Sequence, residues 1–135
     1  MSAPKGLKYS TNHQWVKVKA NGKITVGVTD YAQGQMHDIT YVELPEPDPN
    51  HEFAAEEEVG VLESNKTAAP YLAPVSGIIT AVNTHLLDNP DLVNNDPYGA
   101  GWIFEMKPTD MAEVEDLMDL DSYEATLPMD EEEDL

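Results

Sequence analysis

The chain has 135 residues, 26 of them Asp or Glu against 7 lysines and no arginine, for a formal net charge of −19. That length fits one domain, able to bury roughly two thirds of the surface its unfolded chain exposes. So acidic a surface repels phosphate backbones and anionic headgroups, which argues against nucleic acid and membrane-surface binding. With no cysteine there is no disulfide, thiolate metal site or cysteine nucleophile, so redox chemistry must come from a cofactor.

Met1 to Gly6 lacks the apolar core of a signal peptide and no apolar run is long enough to span a bilayer, so the expected compartment is the cytoplasm. Trp15–Lys19 and Ile24–Val28 alternate like strands around Asn21-Gly22, a dipeptide suited to the positive φ angles of a tight hairpin. Thr29-Asp30 then caps a short helix expected to run through Met36, and Ile39–Leu44 returns to strand before a run of prolines breaks it at Pro45. Further strands are expected over Val59–Ser64, Val75–Val82 and Trp102–Met106. After them, Thr109-Asp110 caps a helix with apolar positions Met111, Val114, Leu117 and Met118, and a shorter helical turn follows from Asp121 to Leu127.

Many short strands with Gly/Pro punctuation predict a mainly β flattened barrel or sandwich, with one short helix in its N-terminal part and helices at the C-terminus. Trp15 and Trp102 are expected to fill the core between the sheets. Acids are unevenly placed: residues 1–107 hold 14 and residues 108–135 hold 12, with no lysine in the second group. The expected organisation is one folded unit over 1–127 and an acidic tail over 128–135.

Lys66 is the only cation between Ile24 and Met106. It lies in Glu63-Ser64-Asn65-Lys66-Thr67-Ala68-Ala69-Pro70, where Asn65 and Thr67 suit a turn and the alanines leave room. A lysine at such a tip is open to a modifying enzyme, or simply keeps an exposed turn soluble. The four histidines, His13, His37, His51 and His85, show no close metal-ligand spacing, and no glycine-rich phosphate loop is present, so a stand-alone enzyme has no support.

Several blocks resemble the H protein of the glycine cleavage system, a lipoyl carrier family. They include His13-Gln14-Trp15-Val16, Val26-Gly27-Val28-Thr29-Asp30-Tyr31-Ala32-Gln33, Glu63-Ser64-Asn65-Lys66, Ala73-Pro74-Val75-Ser76-Gly77 and Asp96-Pro97-Tyr98-Gly99-Ala100-Gly101-Trp102, within a match over residues 7–127. The resemblance implies a lipoyl-domain-like barrel-sandwich hybrid, lipoate in amide linkage to Lys66, and a non-catalytic swinging-arm role. It also implies that Glu63 is read by the lipoate-attaching enzyme; taken alone, the residue reads equally well as one more surface carboxylate.

The family shelters the amine of an aminomethyl cargo in a cleft beside the hairpin, and the match departs there. Asn12 stands where Ser is common, Gln14 where Glu is usual, His37 where Gly is usual, and Pro70 where Asp is expected. A cationic amine in a desolvated cleft calls for a carboxylate. The clustered departures therefore favour another cargo, a sulfur intermediate of the lipoate-dependent sulfur-oxidation pathway, with a heterodisulfide-reductase-like complex as partner. The alternative is a glycine cleavage H protein serving glycine decarboxylase, the aminomethyltransferase and dihydrolipoyl dehydrogenase. A third reading is an unlipoylated scaffold or a carrier handing lipoyl groups to other proteins.

Overall fold

The computed structural model describes residues 4–127, so the acidic tail expected over 128–135 lies outside the described residues. Strands β1 (Lys8–Tyr9), β2 (Gln14–Val18), β3 (Ile24–Val28), β4 (Ile39–Glu43), β5 (Glu52–Phe53), β6 (Glu58–Ser64), β7 (Ala68–Leu72), β8 (Gly77–Val82) and β9 (Phe104–Pro108) form two antiparallel sheets. One has six strands in the order β1-β2-β3-β9-β8-β5; the other has three, β4-β6-β7. The alternating apolar residues of the facing strands meet between the sheets, where Val16, Val26, Val42, Phe104 and Met106 are wholly buried. This is the mainly β, flattened barrel-sandwich architecture that the punctuation of the sequence predicts.

The β2–β3 hairpin forms where expected, with Val18 opposite Ile24, but its loop is longer than a two-residue Asn-Gly turn. The Gly22 amide donates to the Lys19 carbonyl at 3.0 Å, and the Lys19 amide donates to the Lys23 carbonyl at 2.9 Å. Only Gly22 takes a positive φ, +85°, so Ala20, Asn21 and Gly22 make a three-residue loop with glycine in the left-handed position.

Helix α1 (Asp30–Met36) begins as the sequence predicts: the Thr29 hydroxyl accepts from the Ala32 amide. At the C-terminal end, α4 (Met111–Glu115) is capped by Asp110 and α5 (Leu120–Glu124) by Asp119. Two further short helices, α2 (His85–Asp88) and α3 (Leu92–Asn95), were not expected. No helix among the described residues is long and apolar enough to cross a membrane.

Two expectations need correction. The last strand starts at Phe104, not Trp102. The tryptophans do not lie between the sheets: Trp15, on the opposite side of β2 from Val16, is buried with Tyr9 and Tyr123 in a second cluster that Trp102 flanks. Its indole lies across Gly27, where an added Cβ would stand 2.6 Å from the ring nitrogen, and that nitrogen donates to the Pro97 carbonyl at 2.9 Å. Tyr123 of α5 stacks on Tyr9 at 4.9 Å, which docks the C-terminal segment on the outer face of the larger sheet.

Candidate functional site

Lys66 lies at the tip of the β6–β7 hairpin, between Ser64 and Thr67 and fully on the surface. The Ser64 amide donates to the Thr67 carbonyl at 2.8 Å, and the Ser64 hydroxyl accepts from the amides of Lys66 and Thr67, each at 3.2 Å. Neither Asn65 nor Lys66 needs a left-handed backbone. The turn closes on its own serine, and Lys66 makes no ion pair among the described residues. Glu63 is exposed on the last rungs of β6, opposite Tyr41 on one side and Ala68 on the other.

The descending strand of this hairpin was missed from sequence, because Ala68-Ala69-Pro70 carries no strand signal. Pro70 sits in β7 opposite Val61, on the edge of the three-stranded sheet, the position where a strand tolerates a residue without an amide proton.

Below the tip is a cleft of about 220 Å³, walled by Leu62, Ala69, Pro70 and Tyr71 of the hairpin and by Tyr31, Gln35 and Met36 of α1, with Asn12, His13 and Gln14 closing one end. Pro70 lies four positions after Lys66, about 13 Å of extended chain, a span that a lysine lengthened by an acyl chain covers. Of the expected cleft residues, Asn12, Gln14 and Pro70 are brought together here.

Gln14 is not a free cleft group. It is buried, its Oε1 accepts from the Leu72 amide at 2.9 Å, and its Nε2 donates to the Leu72 carbonyl. The side-chain amide thus pairs with both backbone groups of one β7 residue. A carboxylate could accept from that amide but would face the carbonyl with a second acceptor.

His37 falls outside the cleft. It is the exposed C-cap of α1, with φ 66° and ψ −152°, a region nearly reserved for glycine. The glycine that the resemblance implies at this position would suit this backbone conformation. Asn94 braces the strained turn: its Nδ2 donates to the His37 carbonyl at 2.8 Å and its Oδ1 accepts from the Ile39 amide at 2.8 Å.

His13 is more engaged than the sequence suggests. Its Nδ1 lies 2.9 Å from the Tyr123 hydroxyl, which is also 2.7 Å from the Thr29 hydroxyl that caps α1. Burial lowers the His13 pKa and pushes the Tyr123 phenol up to about 12, so both are neutral near pH 7. Among the described residues no group of three or more His, Asp or Glu is placed to hold a metal ion. An exposed amine on a self-closed turn above an apolar cleft does fit a covalently attached acyl arm.

Residues 7–130 match the family model described as glycine cleavage H-protein. The chain is 49% identical over 127 residues to a glycine cleavage system H protein of Acinetobacter baumannii, spanning 94% of this chain and all of that protein. It is 46% identical over 121 residues to the one of Halorhodospira halophila, spanning 90% of this chain and 92% of that protein. A crystal structure of a glycine cleavage system H protein from Mycobacterium marinum superposes with a TM-score of 0.81 at 34% identity, covering 91% of this chain and 97% of that one. These matches favour the glycine cleavage alternative, and nothing in them supports a sulfur cargo or a heterodisulfide-reductase-like partner. The chain belongs to the glycine cleavage H-protein family, whose members carry lipoate covalently on a lysine and are carriers, not catalysts.

Proposed function

We propose that Lys66 is the lipoyl-bearing lysine and that the protein is the cytoplasmic carrier of a glycine cleavage system, moving an aminomethyl group from glycine decarboxylase to the aminomethyltransferase, with dihydrolipoyl dehydrogenase renewing the arm. The observation that carries this reading is the placement of Lys66: exposed, unpaired among the described residues, and held at a hairpin tip by Ser64. When bound, lipoate supplies two sulfurs at the end of a long flexible arm. The chain's own part is to present that arm clear of the sheet and to keep the turn rigid while partner enzymes exchange. Glu63, exposed three residues before the lysine, is the side chain we assign to recognition by the lipoate-attaching enzyme. The absence of cysteine leaves the arm's sulfurs with no protein thiol to compete in exchange.

The test is intact mass after incubation with a lipoate-attaching enzyme, followed by reconstitution with glycine decarboxylase, aminomethyltransferase and tetrahydrofolate. A lipoyl increment that maps to Lys66, vanishes in Lys66→Arg and supports glycine cleavage is the expected result. A modified but inactive protein would sink the pathway, and an unmodified one the carrier role itself.

A further inference from the structure

Of the large apolar side chains left exposed among the described residues, Val18, Tyr41, Leu87 and Met111, only Tyr41 belongs to the three-stranded sheet that carries Lys66. Its exposure is built into the backbone. From Ile39 to Tyr41 the register of β4 advances two residues while β6 advances one, from Ser64 to Glu63. Thr40 is the extra residue of this bulge, and its hydroxyl donates to the Glu63 carbonyl at 3.2 Å. Strict alternation would send Tyr41 inward with Ile39. The bulge instead turns it outward, 46% exposed, while Ile39 and Val42 stay buried.

Singly exposed apolar residues are ordinary on a protein surface, but this one stands in line with the hairpin tip. Tyr41 lies opposite Glu63, and Glu63 opposite Ala68, so the three form a row across the outer side of the sheet just behind Lys66. The next row that points the same way is Glu43, Val61 and Pro70. Together they make an apolar face whose charged members are both carboxylates.

An enzyme that acylates the bare lysine has to meet this face. Lys66 reaches out by its four-carbon stem alone, about 6 Å, so the active site must close on the tip itself. A turn of four residues cannot supply a specific contact, which takes roughly 600 Å² a side even for a transient pair. The inner side of the hairpin is packed on the core and the cleft, which leaves the outer side for the rest of the contact. Enzymes that act on the loaded arm are less constrained, because the reacting sulfurs stand at the far end of an added acyl chain.

We propose that Tyr41 is the binding anchor for the lipoate-attaching enzyme, its ring seated in an apolar pocket of a surface that offers a cation to Glu63. The inference rests on the reading of Lys66 as the lipoyl lysine. A tyrosine suits the task, since its large rigid ring is immobilised at low entropic cost. Tyr41 touches no reacting atom; it holds the tip in place. In the step it serves, the Lys66 amine, relieved of its proton by the enzyme, attacks the acyl carbon of a lipoyl adenylate. The amide C–N bond forms, the acyl–phosphate bond breaks, and AMP leaves with the bonding electrons.

Lipoylation of the full chain is followed by intact mass over a range of protein concentrations, with lipoyl adenylate as the donor. Tyr41→Ala should raise the KM for the protein about tenfold and leave kcat within about twofold. Tyr41→Phe, which keeps the ring and its packing, should stay near the parent in both. Once lipoylated at high enzyme concentration, Tyr41→Ala should support glycine cleavage at the parent's rate. In the unaltered protein, the Tyr41 ring signals should shift or broaden by NMR when the attaching enzyme is added. An unchanged KM, a fall in kcat alone, or ring signals indifferent to the enzyme would overturn the proposal, as would normal lipoylation combined with lost glycine cleavage. Each of these outcomes leaves Lys66 as the carrier lysine, whereas a parent protein that is not lipoylated on Lys66 sinks both readings.

Discussion

Around Trp15 the polar atoms of three large rings all have partners, whereas the Lys66 side chain makes no ion pair among the described residues. The indole donates to Pro97, the Tyr9 hydroxyl to Pro4, and the Tyr123 hydroxyl is shared between His13 and Thr29. The hairpin tip is instead held by one serine hydroxyl and short backbone bonds. The contrast separates what keeps the molecule folded from what it presents: the aromatic cluster fixes the scaffold, and the tip extends from it at almost no structural cost.

The sharpest way to break that division is Trp15→Ala. Removing a fully buried indole should cost about 3–5 kcal/mol, read as a lowered urea midpoint, with lipoylation of the surviving folded protein unchanged. Next comes Gln14→Glu, which sets a carboxylate against the Leu72 carbonyl. A loss of about 1–3 kcal/mol is expected at neutral pH. It should shrink on acidification, because the protonated carboxyl can donate again. If the loss grows as pH falls, the clasp is not what Gln14 provides.

His37→Gly should raise stability by about 1 kcal/mol by relieving the φ 66° backbone, measured as a higher melting temperature. A drop would mean that the imidazole has a structural role beyond the contacts described. His13 contributes a smaller, pH-dependent part. Its folded pKa is lowered by burial, so its contribution is present above the unfolded value of about 6.5 and is lost as pH falls toward the folded value. Urea midpoints at about pH 7 and about pH 5 should therefore diverge less in His13→Asn than in the parent. Smallest of all, Lys66→Gln should leave stability within about 0.5 kcal/mol while abolishing lipoylation, which is the comparison in its purest form.

Features set by neighbours in the chain were the legible ones. The β2–β3 hairpin, the Thr29 and Asp110 caps, and the tip bearing Lys66 each follow from a few consecutive residues. What escaped depends on distant pairing. β7 exists because Val61 and Leu62 give Pro70 and Ala69 a ladder to join, not because alanines and proline favour a strand. Trp15 was assigned to the core because it is large and apolar, but strand alternation sends it to the face opposite Val16, where α5 arrives from the far end of the chain. Gln14 and His37 both registered as departures near the arm. Only the three-dimensional arrangement shows that one grips a backbone and the other occupies a glycine conformation.

Because the Gln14 amide holds the main chain of Leu72 and not its side chain, the grip is blind to which residue stands at that position. Evolution is free to vary the side chain there, proline excepted, while glutamine at 14 is bound to its task. Protein engineers gain the same freedom: position 72 can be varied without loosening the strand that carries it.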